Sequence, residues 1–265
     1  VKQTGMWLAR LLTALALVGS GLVLFAGSAQ ATTICGNTPV PPGMVITSAG
    51  TSNSCGGYLV ETIDLPYNGV RICGNSPIPG GWVITSVYQT NSCGGFLGET
   101  LTNSTNSGST IRICGNSPIP DGWVVASAYV TATCGDYLGE SITNALSNGI
   151  RVCGNTPVPA GWVVTSAYPN NSCGGYLGET LTNSANSGSS IRICGNSPIP
   201  GGWVVTSVYV TNSCGGYLGE TITNALSNGM HVCGNSPIPG GWVVTAVYQT
   251  NYCGDYQTEN ITKVA

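Results

Sequence analysis

Residues 194–224 read CGNSPIPGGWVVTSVYVTNSCGGYLGETITN, and versions of this stretch occur six times from Cys35 onward. Recurrence at an interval of about forty residues marks a repeat architecture, in which one small unit is copied and stacked on its neighbours. Within the stretch, residues 203–210 are rich in Val, Thr and Tyr, with Pro-Ile-Pro-Gly-Gly before them and Asn-Ser-Cys-Gly-Gly after them. That is the pattern of a short strand between turns. A second strand is expected at about 217–223 and a short third one at 191–194. The connections are of turn length, so an antiparallel meander is predicted. No segment carries a helical stripe, and Ala-Leu within 144–148 is too brief to count.

The twelve cysteines fall into the pairs Cys35/Cys55, Cys73/Cys93, Cys114/Cys134, Cys153/Cys173, Cys194/Cys214 and Cys233/Cys253. The step within a pair is always 20, whereas the steps between pairs are 18, 21, 19, 21 and 19. Constant length inside and variable length outside predict six bridges, one within each pair, around a closed unit with an adjustable loop beyond it. A unit this small buries too little apolar surface to fold alone. Closing its loop contributes roughly 3 kcal/mol, and contact with neighbours supplies the rest. Zinc is the weaker reading, because zinc sites use closely spaced cysteines with further Cys or His, and His231 is the only histidine.

Residues 73–152 and 153–232 are two copies of a doublet, in which a long loop (TNSTNSGST, TNSANSGSS) alternates with a short one (TNALSNG). The expected division is repeat 1 at 32–72, repeat 2 at 73–113, repeat 3 at 114–152, repeat 4 at 153–193, repeat 5 at 194–232 and repeat 6 at 233–265. Repeat 1 is an atypical cap, with Met44 in place of Trp and Gly50 in place of Tyr. Repeat 6 reads as a truncated cap lacking a final strand, and Thr-Thr-Ile-Cys at 32–35 reads as an orphan strand. The fold class is therefore all-β, six disulfide-stapled antiparallel repeats. An open array is expected, because three strands per unit fall short of the four in a propeller blade; the alternative is a closed six-bladed propeller-like ring, with residues 32–35 completing the last unit.

Residues 1–31 differ from everything after them. Lys2 and Arg10 precede an apolar run at 11–26, and Ala29-Gln30-Ala31 supplies small residues at a cleavage position. These are the parts of a signal peptide, and the run falls short of the roughly 20 residues that span a bilayer. Export is expected, with Thr32 as the mature N-terminus and no membrane span after it. The cysteines fit the same oxidising compartment. From residue 32 onward ten Asp/Glu outnumber five Lys/Arg, so the clustered cations of a nucleic-acid surface are missing.

Two charged sets recur in phase. Glu61, Glu99, Glu140, Glu179, Glu220 and Glu259 lie six residues after the second cysteine of each unit, and Arg71, Arg112, Arg151 and Arg192 lie two before the next first cysteine. A hairpin between those strands would set Glu99 against Arg112 and Glu140 against Arg151, fixing register at about 0.2–1 kcal/mol per pair. His231 takes the Arg192 position one unit later and is expected to stand in as a partner of Glu220. Glycosidase chemistry needs two carboxylates with separated roles, and triad chemistry needs a nucleophile and an orienting acid unique to one unit. The repeats offer neither pattern, so no catalytic, metal or cofactor residues are assigned.

The aromatic residues carry the binding reading. Trp82, Trp123, Trp162, Trp203 and Trp242 follow the Pro-x-Pro turn, with Tyr88, Tyr129, Tyr168, Tyr209 and Tyr248 six residues later. Core plugs are the simpler role for the tryptophans. Exposed rings flanked by amides would instead be sugar platforms, and Tyr137, Tyr176 and Tyr217 are equal candidates with the five tryptophans. Tandem weak sites bind by avidity. The expectation is a secreted, non-enzymatic repeat protein acting as an extracellular structural or surface and matrix interaction module, with cell-surface or matrix glycan or self-association as partner. A multivalent lectin is the alternative, and a secreted hydrolase is disfavoured.

Overall fold

A computed structural model describes residues 31–264. It is an open array of six three-stranded antiparallel sheets. Unit 1 consists of β1 (Thr32–Cys35), β2 (Val45–Thr51) and β3 (Leu59–Asp64). Unit 2 has β4 (Arg71–Cys73), β5 (Trp82–Tyr88) and β6 (Gly98–Asn103); unit 3 has β7 (Thr110–Cys114), β8 (Val124–Tyr129) and β9 (Gly139–Thr143). Unit 4 has β10 (Ile150–Cys153), β11 (Trp162–Pro169) and β12 (Leu177–Asn183). Unit 5 has β13 (Ser190–Cys194), β14 (Val204–Tyr209) and β15 (Gly219–Thr223); unit 6 has β16 (Met230–Cys233), β17 (Trp242–Tyr248) and β18 (Thr258–Lys263). The expected signal peptide lies outside the described residues, apart from Ala31.

The expected meander is corrected. In every sheet the third strand is central, flanked by the first and second, as in the order β1-β3-β2. The reason is the disulfide. Cys35 ends β1 and Cys55 closes the β2–β3 connection, with their Cα atoms 5.5 Å apart, which draws β1 to the β3 side. All six bridges form within the predicted pairs, as Cys35–Cys55, Cys73–Cys93, Cys114–Cys134, Cys153–Cys173, Cys194–Cys214 and Cys233–Cys253.

The strand ahead of each first cysteine thus belongs to the sheet that follows it. The stretch expected to be an orphan is β1, paired with β3 from Thr32↔Ile63 to Cys35↔Val60. Unit 6, expected to lack a strand, holds a full sheet of β16, β18 and β17. The Glu–Arg hairpins are overturned by the same pairing: Glu99 lies in β6 and Arg112 in β7, strands of different sheets. Even within one sheet the two types part company, since Glu220 is opposite Ile193 and Arg192 opposite Thr221. Neighbouring positions on a strand point to opposite faces.

The Pro-x-Gly connection has a local cause. Trp82 N donates to Pro79 O at 3.1 Å across a turn whose third residue, Gly81, has φ 80°. The turn needs glycine only at that position, so the residue before it varies from Pro42 to Asp121 to Ala160.

The cores lie between units. One cluster joins Val45 of unit 1, Ile84, Val87 and Leu101 of unit 2, and the Cys114 and Cys134 sulfurs of unit 3. The next joins Val83, Val125 and Ile142 with Cys153 and Cys173. Each bridge from Cys73–Cys93 onward is thus also the apolar cover of the preceding unit, which is how forty residues acquire a core.

Candidate functional site

The position after the second cysteine and its two-residue turn builds a row of rings. Tyr58 N donates to Cys55 O at 3.1 Å and Phe96 N to Cys93 O at 3.1 Å, closing tight hairpins, and Tyr137, Tyr176, Tyr217 and Tyr256 repeat the bond. The turn leaves the ring at the tip of the hairpin, outside the intersheet cores. Tyr58, Phe96, Tyr137, Tyr176, Tyr217 and Tyr256 are all exposed, between 43% and 55%. One exposed ring therefore stands at the same place in every unit. A cleft of ≈ 270 Å³ beside Tyr58 is lined by Thr51, Ser52, Asn53 and Gly57.

The structure brings Tyr137, Tyr176 and Tyr217 into this row and separates them from the tryptophans. Trp123 and Trp203 are buried beneath the following unit, while Trp82, Trp162 and Trp242 are half-buried. Trp123 and Trp162 border a groove of ≈ 580 Å³ along the Pro turns of units 3 and 4, together with Pro120, Asp121 and Pro157. Sequence reasoning missed Tyr58, Phe96 and Tyr256. Their signal is the constant spacing, since each stands three residues after the second cysteine.

The strand tyrosines take another role. A Cβ on Gly98 would lie 2.4 Å from the Tyr88 ring, and Gly139, Gly178 and Gly219 are closed in the same way by Tyr129, Tyr168 and Tyr209. Register explains the pairing, as Tyr88 is opposite Gly98. Unit 1 inverts it with Gly50 opposite Val60. The Arg71 guanidinium sits 5.7 Å from the Tyr88 ring centroid, so this cation meets an aromatic face. His231, expected beside Glu220, is opposite Asn260 and stands edge-on to Tyr248 at 5.7 Å.

Five of the six recurring glutamates, all but Glu259, are buried and held by the next unit. Asn75 Nδ2 donates to Glu61 Oε1 at 2.8 Å, and Asn116 to Glu99, Asn155 to Glu140, Asn196 to Glu179 and Asn235 to Glu220 at 2.7–2.8 Å. Burial pushes the carboxyls of Glu99, Glu140, Glu179 and Glu220 above their ordinary value, opposed by the Asn hydrogen bond. These acids tie unit to unit. Among the described residues no three His, Cys, Asp or Glu side chains gather as a metal site would require, and no helix is long and apolar enough to cross a membrane. The chain matches no protein-family model, no curated protein and no solved structure.

Proposed function

We propose that the chain is an exported, non-enzymatic interaction module of a cell surface or extracellular matrix, which meets its partner along the row of hairpin-tip rings. The observation that carries this reading is the repetition of one exposed ring per unit, Tyr58, Phe96, Tyr137, Tyr176, Tyr217 and Tyr256. The recurring Glu61, Glu99, Glu140, Glu179 and Glu220 are meanwhile buried at the junctions. Six similar weak contacts on one scaffold bind an extended or repetitive partner by avidity. Low charge suits a partner that is itself uncharged, and only 6% of the residues are Asp, Glu, Lys or Arg.

A glycan is the favoured partner class. Support comes from the cleft beside Tyr58, where a ring meets the hydroxyls of Thr51 and Ser52 and the amide of Asn53. A sugar ring offers an apolar face to an aromatic ring and hydroxyls to amide and hydroxyl partners. The test is depletion of the protein from solution by a panel of insoluble polysaccharides, comparing wild type with a Tyr137→Ala, Tyr176→Ala, Tyr217→Ala triple variant. Wild type should be depleted by at least one polysaccharide, and the variant about tenfold more weakly. Equal depletion of both sinks the ring row as the contact surface. No depletion by any member of the panel sinks the glycan class.

A further inference from the structure

The five junctions between units take two forms. At three of them the strand residue facing the next unit is alanine. Ala49 N donates to Ser92 O of the next hairpin loop at 2.9 Å, as Ala128 N does to Ser172 O and Ala167 N to Ser213 O. At the other two the residue is Val87 or Val208, and the Cγ1 methyl stands 3.7 Å from the Cβ position of Gly135 or Gly254 in the next loop. The strand-to-loop bridges form at the alanine junctions. At the valine junctions no such bridge forms, and the loop residues Ala132–Cys134 and Asn251–Cys253 coil into a 3-10 turn. Asn53–Cys55 coils in the same way in the first unit, which has no described unit before it, so the turn chemistry and not the coil separates the two types.

The turn chemistry follows this division at every junction. After alanine the next loop reads Cys-Gly-Gly, at 93–95, 173–175 and 214–216; after valine it reads Cys-Gly-Asp, at 134–136 and 253–255. In the Gly-Gly loops both glycines have positive φ, for example 60° and 101° at Gly94 and Gly95, as a type I′ turn requires. In the Gly-Asp loops the glycine has φ 59° and ψ −124° at Gly135, and φ 58° and ψ −124° at Gly254. That is a type II′ turn, in which glycine is required only first. The small face and the type I′ turn go together, and so do the branched face and the type II′ turn.

Unit 6 presents a valine face that nothing among the described residues covers. Val243, Val244 and Val247 are 46%, 39% and 51% exposed, against 0%, 0% and 5% for Val204, Val205 and Val208 in unit 5. Val205 N donates to Ser236 Oγ of the next unit at 2.9 Å, and no described unit supplies that hydroxyl to Val244. We infer that this face, led by Val247, is a docking surface for a repeat unit of the same build whose hairpin reads Cys-Gly-Asp. The chain's own first unit is the wrong type. Asn37 and Thr38 hold the positions that serve Glu and the strand N–H at the internal junctions, but its loop is Cys55-Gly56-Gly57. Gly56 there has φ 59° and ψ 32°, the type I′ form that goes with alanine. The partner is therefore a Cys-Gly-Asp unit from outside the described residues, and copies of this chain do not join end to end.

Sedimentation velocity on the full chain and three variants tests the pairing. Gly57→Asp gives the first unit the turn that Val247 requires, and Val247→Ala gives unit 6 the face that Gly56-Gly57 requires. Each single variant should assemble head to tail at about tenfold lower concentration than wild type, and the double variant should return to wild-type behaviour. Val247 is exposed, so Val247→Ala keeps the fold; intact mass and circular dichroism check Gly57→Asp. End-to-end assembly of wild type or of the double variant as readily as the singles overturns the inference. Single variants that stay as monomeric as wild type overturn it too.

Discussion

Units 5 and 6 share thirteen consecutive residues, CGNSPIPGGWVVT at 194–206 and again at 233–245, yet they end in different environments. Val204 and Val205 are 0% exposed, while Val243 and Val244, their counterparts, are 46% and 39% exposed. Backbone and register agree, since Val205 is opposite Ile222 and Val244 opposite Ile261. The sequence of a unit thus decides its strands and turns, and its neighbour decides what becomes core. Stability resides mostly in the junctions, as nearest-neighbour coupling predicts for stacked repeats.

The largest effect that would sharpen the contrast comes from the same substitution made twice. Val205→Asp places a carboxylate at the sealed junction and should cost about 4 kcal/mol or more. Val244→Asp meets solvent and should change stability by no more than about 0.5 kcal/mol. Urea midpoints of the two variants, compared with wild type, give the answer; similar losses would mean that burial is settled within the unit.

A smaller effect separates a covered strand from an open one. Ala128→Val adds methyls where the next loop bonds the strand edge, so it should break the Ala128 N to Ser172 O bond and cost roughly 1–3 kcal/mol. Ala246→Val lies on the exposed part of β17 and should be nearly silent. Amide hydrogen exchange at residue 128 checks the mechanism, because a rise there beyond that of the neighbouring strand amides isolates the lost bond.

Much of this is legible without coordinates. The constant step of 20 points to the bridge from Cys35 to Cys55 and its five repeats, and Val- and Thr-rich runs bounded by Gly and Pro mark the strands. The strand order is hidden, because a turn-length connection suits a meander as well as it suits the 1-3-2 order; only the bridge geometry at Cys35 and Cys55 separates them. Spacing places Glu and Arg in phase but not in the same sheet, so it matches Glu99 with Arg112 when the partner is Asn116. For the candidate site, spacing finds Tyr137, Tyr176 and Tyr217, yet ranks them equal to Trp123 and Trp203, which lie under the next unit. Exposure of a ring depends on stacking, and a single unit's sequence does not contain its neighbour.

The last contrast concerns the acids. Glu220 is buried and receives Asn235 Nδ2 at 2.8 Å, whereas Glu259, one unit on, has no described unit after it to bring an asparagine. The bond is one-sided: Asn235 Oδ1 is buried without a donor, as are Asn75, Asn116 and Asn155 Oδ1. A carboxylate only accepts, but a protonated carboxyl also donates, and its hydroxyl is the group that Oδ1 lacks. The Glu220 carboxyl is raised chiefly by burial. A raised value means that the folded chain holds the proton more tightly than the unfolded chain. The associated stability is fully present below the unfolded carboxyl's value, about 4.3, and is lost as pH rises through the raised folded value. Glu220→Gln supplies the missing donor at every pH and should stabilise the chain at neutral pH by about 0.5–1.5 kcal/mol. Its advantage should shrink as the solution is acidified, because wild type then gains its own proton. Glu259→Gln, with no asparagine from a following described unit to pair with, should leave the melting temperature at pH 7 unchanged. Melting curves at pH 7 and pH 4 decide it: a Glu220→Gln variant less stable than wild type at pH 7 would show that the carboxylate is the form the junction prefers.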